Sequence, residues 1–148
     1  MVRRTILLVD DNPNDVFLTT RALKKSNISN EIVVAHNGLE ALDYLFGTGE
    51  YQHRDLSQMP VVVLLDLKMP KMDGQEVLER IRKDPRTKLL PVVILTASKE
   101  ESDVINCYKS GCNAYVQKPV DFDQFAEATK QLGLFWLVMN EAPPALKK

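Results

Sequence analysis

The segment Val61-Val62-Val63-Leu64-Leu65-Asp66 sets five uninterrupted apolar residues against one carboxylate. Five residues is strand length, and the valines favour extended backbone. A continuous apolar run, rather than one alternating with polar residues, describes a strand covered on both faces, as in a parallel sheet. Asp66 then stands at the carboxyl end of that strand.

Four further runs flank this one. Thr5-Ile6-Leu7-Leu8-Val9 and Glu31-Ile32-Val33-Val34-Ala35 precede it; Pro91-Val92-Val93-Ile94-Leu95 and the weaker Ala114-Tyr115-Val116-Gln117 follow. Between them lie segments of helical period. Asn12-Pro13 reads as an N-cap followed by proline in the first turn, with Val16, Thr20 and Leu23 recurring at helical spacing. Asn37 and Glu40 form a capping-box pattern ahead of Ala41, Leu42 and Leu45. Asp73 opens a helix whose apolar side is Val77, Leu78 and Ile81. Ser98 or Lys99 opens the next, closed by Gly111 in a left-handed cap. Asp121 opens the last, with Phe122, Phe125, Ala126, Thr129 and Leu132 as the inward stripe. Five β-α units predict an open, doubly wound α/β domain of flavodoxin-like form around a five-stranded parallel sheet. The expected boundaries are a domain over 1–142 and a flexible tail over 143–148. The polar stretch 47–59 is expected to be an exposed loop.

Composition narrows the function classes. Of 148 residues, 45% are hydrophobic and 26% charged, a globular balance. A formal net charge of −1 gives no basic field for nucleic acid. No run approaches the length of a membrane span, and no secretory signal pattern opens the chain. Cys107 and Cys112 lack metal-site spacing, and read as reduced core thiols of a cytoplasmic protein.

Open parallel sheets bind ligands beyond the carboxyl ends of their strands. There this chain places Asp10 and Asp11, Asp66, Thr96 and Lys118. Each alone has an ordinary explanation: an N-cap, a strand-end hydroxyl, a solvated charge. Together they are the groups phosphoryl transfer requires. A carboxylate can act as nucleophile and form an aspartyl phosphate. Like charges ~4 Å apart repel by ~4 kcal/mol at an effective dielectric of 20, so the acidic cluster calls for a cation. Mg²⁺ suits a few carboxylates, retained waters and phosphate oxygens. Lys118 and Thr96 supply donors to phosphoryl oxygens, and the small Ala97 leaves room for entry.

Ile6 to Asn12, Val63 to Gly74, Pro91 to Ala97 and Ala114 to Pro119 resemble, in order, the four signatures of response-regulator receiver domains. The likeness spans roughly residues 4–138. It implies that Asp66 accepts phosphate from a phosphohistidine on a sensor histidine kinase. It implies Mg²⁺ held by Asp11, Asp66 and the backbone carbonyl of Lys68, with Asp10 acting through water. It implies that Thr96 turns toward the phosphoryl group and that Tyr115 follows, altering the face formed by the fourth helix, fifth strand and fifth helix. Lys68 and Ser98 are implied to flank the route of the hydrolytic water, and Lys118-Pro119 to be a cis peptide. A phosphoacceptor switch of this type is not a turnover enzyme. With no output domain in the sequence, the expectation is a single-domain regulator that signals by docking. The 47–59 loop and Leu134-Phe135-Trp136-Leu137-Val138 resemble regulators paired with phytochrome-type histidine kinases. The same apolar run, continuing the fifth helix, leads to the expectation of a homodimer.

Three rival readings fit less well. A haloacid-dehalogenase-type phosphatase puts Asp-x-Asp after its first strand, where this chain has Asp10-Asp11-Asn12. A nucleotide- or flavin-binding module would want glycines where this chain has the anionic Asp10 to Asp15 turn. A pseudo-receiver would lack part of the site, and every part is present.

Overall fold

The computed structural model describes residues 5–25 and 28–131. Its elements run β1 (Thr5–Val9), α1 (Pro13–Lys25), β2 (Glu31–Ala35), α2 (Gly38–Phe46), a 3₁₀ turn (Gly49–Tyr51), β3 (Val62–Leu65), α3 (Gly74–Lys83), β4 (Val92–Thr96), α4 (Glu101–Lys109), β5 (Ala114–Gln117) and α5 (Phe122–Gln131). All strand pairs are parallel, in the order β2-β1-β3-β4-β5. This is the five-stranded, doubly wound arrangement expected from the apolar runs.

Side chains alternate across each strand. Leu7, Val9, Val63 and Leu65 face a core completed by Val77, Leu78 and Ile81 of α3 and by residues of α2. Ile6, Leu8, Leu64 and Val93 face the other core, which Leu23 of α1 and Phe125 of α5 close. Burial on both sides explains why the central strands β1, β3 and β4 are almost wholly apolar; the edge strands β2 and β5 are less covered and carry the exposed Glu31 and Gln117. Because the order reverses at β1, the crevice opens beyond the ends of β1 and β3, where Asp10 and Asp66 emerge.

The expected caps form. Asn12 Oδ1 accepts the N–H groups of Asn14 and Asp15, Asn37 accepts that of Glu40, Asp73 that of Glu76 and Asp121 that of Gln124. Gly111 lies at φ 99°, the left-handed backbone that glycine adopts without steric cost.

Two expectations need correcting. The fourth helix begins at Glu101 and not at Ser98 or Lys99, because the Ser98 side chain is committed to Asp103 and to the Glu100 N–H. On α5 the buried residues are Phe125, Ala128 and Thr129, with Ala126 half-buried; Phe122, the first residue of the helix, lies a turn ahead of that stripe and is exposed. The 47–59 segment is, as expected, a largely exposed connection, with Arg54 tying it to α2. Its Arg54 guanidinium lies 4.0 Å from the Tyr44 ring centroid and donates to the carbonyls of Tyr44 and Gln58. Tyr51 meets Tyr44 edge-on at 5.1 Å. The apolar run at 134–138, Leu132 and the boundary at 142 lie outside the described residues.

Candidate functional site: an acidic pocket around Asp66

Asp66 leaves β3 buried. Its Oδ1 accepts the Leu67 N–H at 2.7 Å, and its Oδ2 accepts Lys118 Nζ at 3.0 Å. Each oxygen keeps a further lone pair directed at the crevice. The loop that follows is pinned by the Gly74 N–H on the Leu67 carbonyl at 2.9 Å. A Cβ on Gly74 would stand 2.1 Å from the Asp66 carbonyl oxygen, so only glycine lets α3 start so close to the strand end.

Asp10 is 1% exposed: its Oδ1 accepts the Asn12 N–H at 3.0 Å and its Oδ2 accepts Lys118 Nζ at 2.6 Å. Burial raises its carboxyl pKa; the Lys118 ammonium and the Asn12 N–H pull the other way without cancelling it. Asp11 is exposed at the pocket rim. One carboxylate oxygen each from Asp10, Asp11 and Asp66 fall within 4.8 Å of one another. Such a hard-oxygen cluster, open to water on the Asp11 side, matches the ligand preference of Mg²⁺. Asp10 lies deepest of the three, and Asp11 is the one open to solvent.

The Lys118–Pro119 peptide is cis, as expected, and the Lys118 side chain is 9% exposed. Its ammonium meets three carboxylates, those of Asp10, Asp66 and, at 3.1 Å, Asp15. Burial opposes the charged form, yet the Asp10 and Asp66 carboxylates outweigh it, and the Lys118 pKa is driven up. Asp15 is the site residue the sequence reading passed over. It looks like an ordinary first-turn anion of α1, and nothing beside it in the sequence points to Lys118.

Thr96 ends β4 with 1% exposure, and its Oγ1 accepts the Ser98 N–H at 3.4 Å. Tyr115 is half-buried, and its hydroxyl donates to the Ser98 carbonyl at 3.1 Å. Asp11, Asp66, Lys68, Thr96, Ala97, Ser98 and Lys118 line a single cavity of about 550 Å³. Residues separated by up to 108 positions in the chain, Asp10 and Lys118, thus make direct contact.

The model of the response regulator receiver domain matches residues 6–130. The chain belongs to that family. Members are phosphorylated on an aspartate, bind Mg²⁺ in their acidic pocket and act with histidine kinases. The curated relative Response regulator Rcp1 of Synechocystis is 38% identical over 142 residues, covering 96% of this chain and 95% of Rcp1. Among solved structures, the bacteriophytochrome response regulator AtBRR is 51% identical with a TM-score of 0.85, covering 95% of this chain and all of that one (100%). The Mn²⁺-bound form of Rcp1 is 37% identical with a TM-score of 0.74, covering 95% of this chain and 99% of the other. Relatives of this receiver therefore include regulators named for bacteriophytochromes. Among the described residues, no helix is long and apolar enough to cross a membrane.

Proposed function

We propose that this receiver is a phosphoacceptor switch in which Asp66 takes a phosphoryl group from a phosphohistidine of a phytochrome-type sensor kinase. The observation that carries the reading is the convergence of Asp10, Asp11 and Asp66 within 4.8 Å, with Lys118 Nζ 3.0 Å from Asp66. An Asp66 oxygen attacks phosphorus as the phosphorus–nitrogen bond breaks; the leaving imidazole keeps the bonding pair and takes up a proton. Asp11, Asp66 and the Lys68 carbonyl would hold Mg²⁺ directly, with Asp10 joining through water. When bound, the metal offsets charge on the phosphoryl oxygens. Lys118 would exchange one carboxylate partner for a phosphoryl oxygen, and Thr96 would donate its hydroxyl to another. The name of the bacteriophytochrome response regulator AtBRR supports the kinase class.

The new dianion rewards donors that approach it. As Thr96 turns inward, Tyr115 leaves the Ser98 carbonyl and changes the α4-β5-α5 face, where Ile105, Tyr108 and Phe122 are already exposed. That face is where the receiver would dock a partner or a second copy of itself in the cytoplasm. The protein is labelled once and is not a turnover enzyme.

Incubation with Mg²⁺ and a small phosphodonor, followed by intact mass, tests the assignment. One base-labile phosphoryl group is expected, dependent on the metal and absent from Asp66→Asn. Equal labelling of Asp66→Asn refutes it. Sedimentation with and without a phosphoryl mimic tests dimerisation, and a monomer under both conditions removes that part.

A further inference from the structure

On the side of the pocket away from Asp10, one carboxylate ties two loops together. Asp103 lies in the first turn of α4, where the helix dipole favours an anion, and is 19% exposed. Its Oδ2 accepts the Ser98 hydroxyl at 2.5 Å and lies 3.5 Å from Lys68 Nζ. Lys68 comes from the β3–α3 loop and Ser98 from the β4–α4 loop, and both line the cavity over Asp66. Through its carbonyl, Ser98 also holds the Tyr115 hydroxyl. One oxygen of Asp103 therefore restrains the two polar side chains that flank the phosphoryl position, and, through Ser98, the aromatic ring of the expected switch.

We propose that Asp103 is a positioning residue, a latch that holds the Lys68 ammonium and the Ser98 hydroxyl off Asp66 until a phosphoryl group competes for them. The inference rests on Asp66 being the phosphoryl acceptor. Asp103 and an aspartyl phosphate want the same two donors, and the phosphoryl group carries the larger charge. Lys68 is 70% exposed, so its ion pair with Asp103 is weak and can be exchanged. The Ser98 bond is better shielded and supplies most of the hold. Loss of the phosphoryl group needs a water oxygen to attack phosphorus while the bond to the Asp66 oxygen breaks. The products are the free carboxylate and dihydrogen phosphate. Donors released from Asp103 stabilise the aspartyl phosphate and stand in the path of that water.

The test compares parent, Asp103→Ala and Asp103→Asn for Mg²⁺-dependent beryllofluoride binding and for decay of the labelled protein. Asp103→Ala is expected to bind the mimic about 3–10-fold tighter and to lose phosphate slower by a similar factor. Asp103→Asn, which keeps a hydroxyl acceptor but not the ion pair, is expected to move less in the same direction, and it serves if the alanine variant does not fold. Glu101→Gln removes one charge from the same helical turn and measures the general field effect. Lys68→Met should abolish part of the Asp103→Ala gain, a coupling that a merely structural role would not produce. No gain, a gain matched by Glu101→Gln, or a gain indifferent to Lys68→Met overturns the latch. A parent that labels on Asp66 while Asp103→Ala behaves identically overturns the latch alone. A parent that never labels on Asp66 overturns the proposed function and the latch with it.

Discussion

Replacing Lys118 by methionine keeps the volume of the side chain and removes its charge. The ammonium lies 2.6, 3.0 and 3.1 Å from the carboxylates of Asp10, Asp66 and Asp15. At an effective dielectric of 20, each contact carries about 5–6 kcal/mol of gross attraction, most of it consumed by desolvation. The net effect of deletion is set by what stays behind: Asp10 at 1% and Asp66 at 10% side-chain exposure lose their counter-charge, whereas Asp15 at 35% is largely rescued by water. Removing one partner from such a buried arrangement costs about 3–5 kcal/mol. Lys118→Met in chelator should therefore unfold at markedly lower urea concentration than the parent.

Mg²⁺ sharpens the test. The ammonium repels any dication entering the same cluster, so the variant should bind Mg²⁺ about 10–100-fold tighter, which returns about 1.4–2.7 kcal/mol at saturation. The assay is urea unfolding of parent and variant near neutral pH, in chelator and in saturating Mg²⁺. The variant should lose stability in chelator, regain part of it with the metal, and still fail to hold a stable phosphoryl mimic. A variant as stable as the parent without metal, or an equal Mg²⁺ increment in both, would show that Lys118 does not balance these carboxylates.

Further outcomes follow from single contacts. Gly74→Ala puts a Cβ 2.1 Å from the Asp66 carbonyl oxygen, so a cost of about 3 kcal/mol or more and loss of phosphoryl labelling are expected by thermal melting and intact mass. Arg82 donates to the carbonyls of Gly111, Lys88 and Leu90 and to Asn113 Oδ1; Arg82→Ala should cost about 2–4 kcal/mol in urea unfolding, with Arg82→Lys recovering little because the planar fork is lost. Burial pushes the Cys107 and Cys112 thiols up to about 11 and about 12. The unfolded chain gives up those protons near pH 8.5, so the thiol contribution to stability is complete below that pH and falls as pH rises toward 11. Urea midpoints of the parent should accordingly drop more between neutral and alkaline pH than those of the Cys107→Ala, Cys112→Ala double variant.

How far the sequence could be read depended on whether a residue's role is set locally. Val61 to Leu65 announces a strand covered on both faces because burial acts on every side chain of the run. Asn37, Asp73 and Asp121 announce helix starts because a cap is a contact over three residues. Strand ends then bring Asp66, Thr96 and Lys118 to one edge by topology alone. Residues whose role depends on a distant side chain were not readable. Asp15 and Asp103 look like the acidic first-turn residues that any helix tolerates, and nothing near them in the chain points to Lys118 or Lys68. Arg54 was read as part of a polar loop because its aromatic partner, Tyr44, lies ten positions away on α2. Phe122 misled in the opposite sense: helical spacing assigned it inward, but as the first residue of α5 it lies a turn ahead of the buried stripe and is exposed.

The same distinction bears on what the site can do. Asp10, Asp11, Asp15 and Asp66 set four carboxylates against one ammonium, an imbalance the fold tolerates because Asp11 and Asp15 reach water. A divalent cation would reduce the excess, and a phosphoryl dianion on Asp66 would restore part of it at a new position, farther out in the pocket. Lys118 and Thr96 can follow that displaced charge only if the β4–α4 loop yields. That loop is held at Ser98 by Asp103 and Tyr115, two contacts outside the acidic cluster. The chemistry at Asp66 and the shape of the α4-β5-α5 face are thus joined through one serine. In a Ser98→Ala background, which lacks the hydroxyl that Asp103 holds but keeps the carbonyl for Tyr115, Asp103→Ala should bring much less gain in beryllofluoride binding than it does in the parent, with Mg²⁺ affinity unchanged. An undiminished gain would break that link.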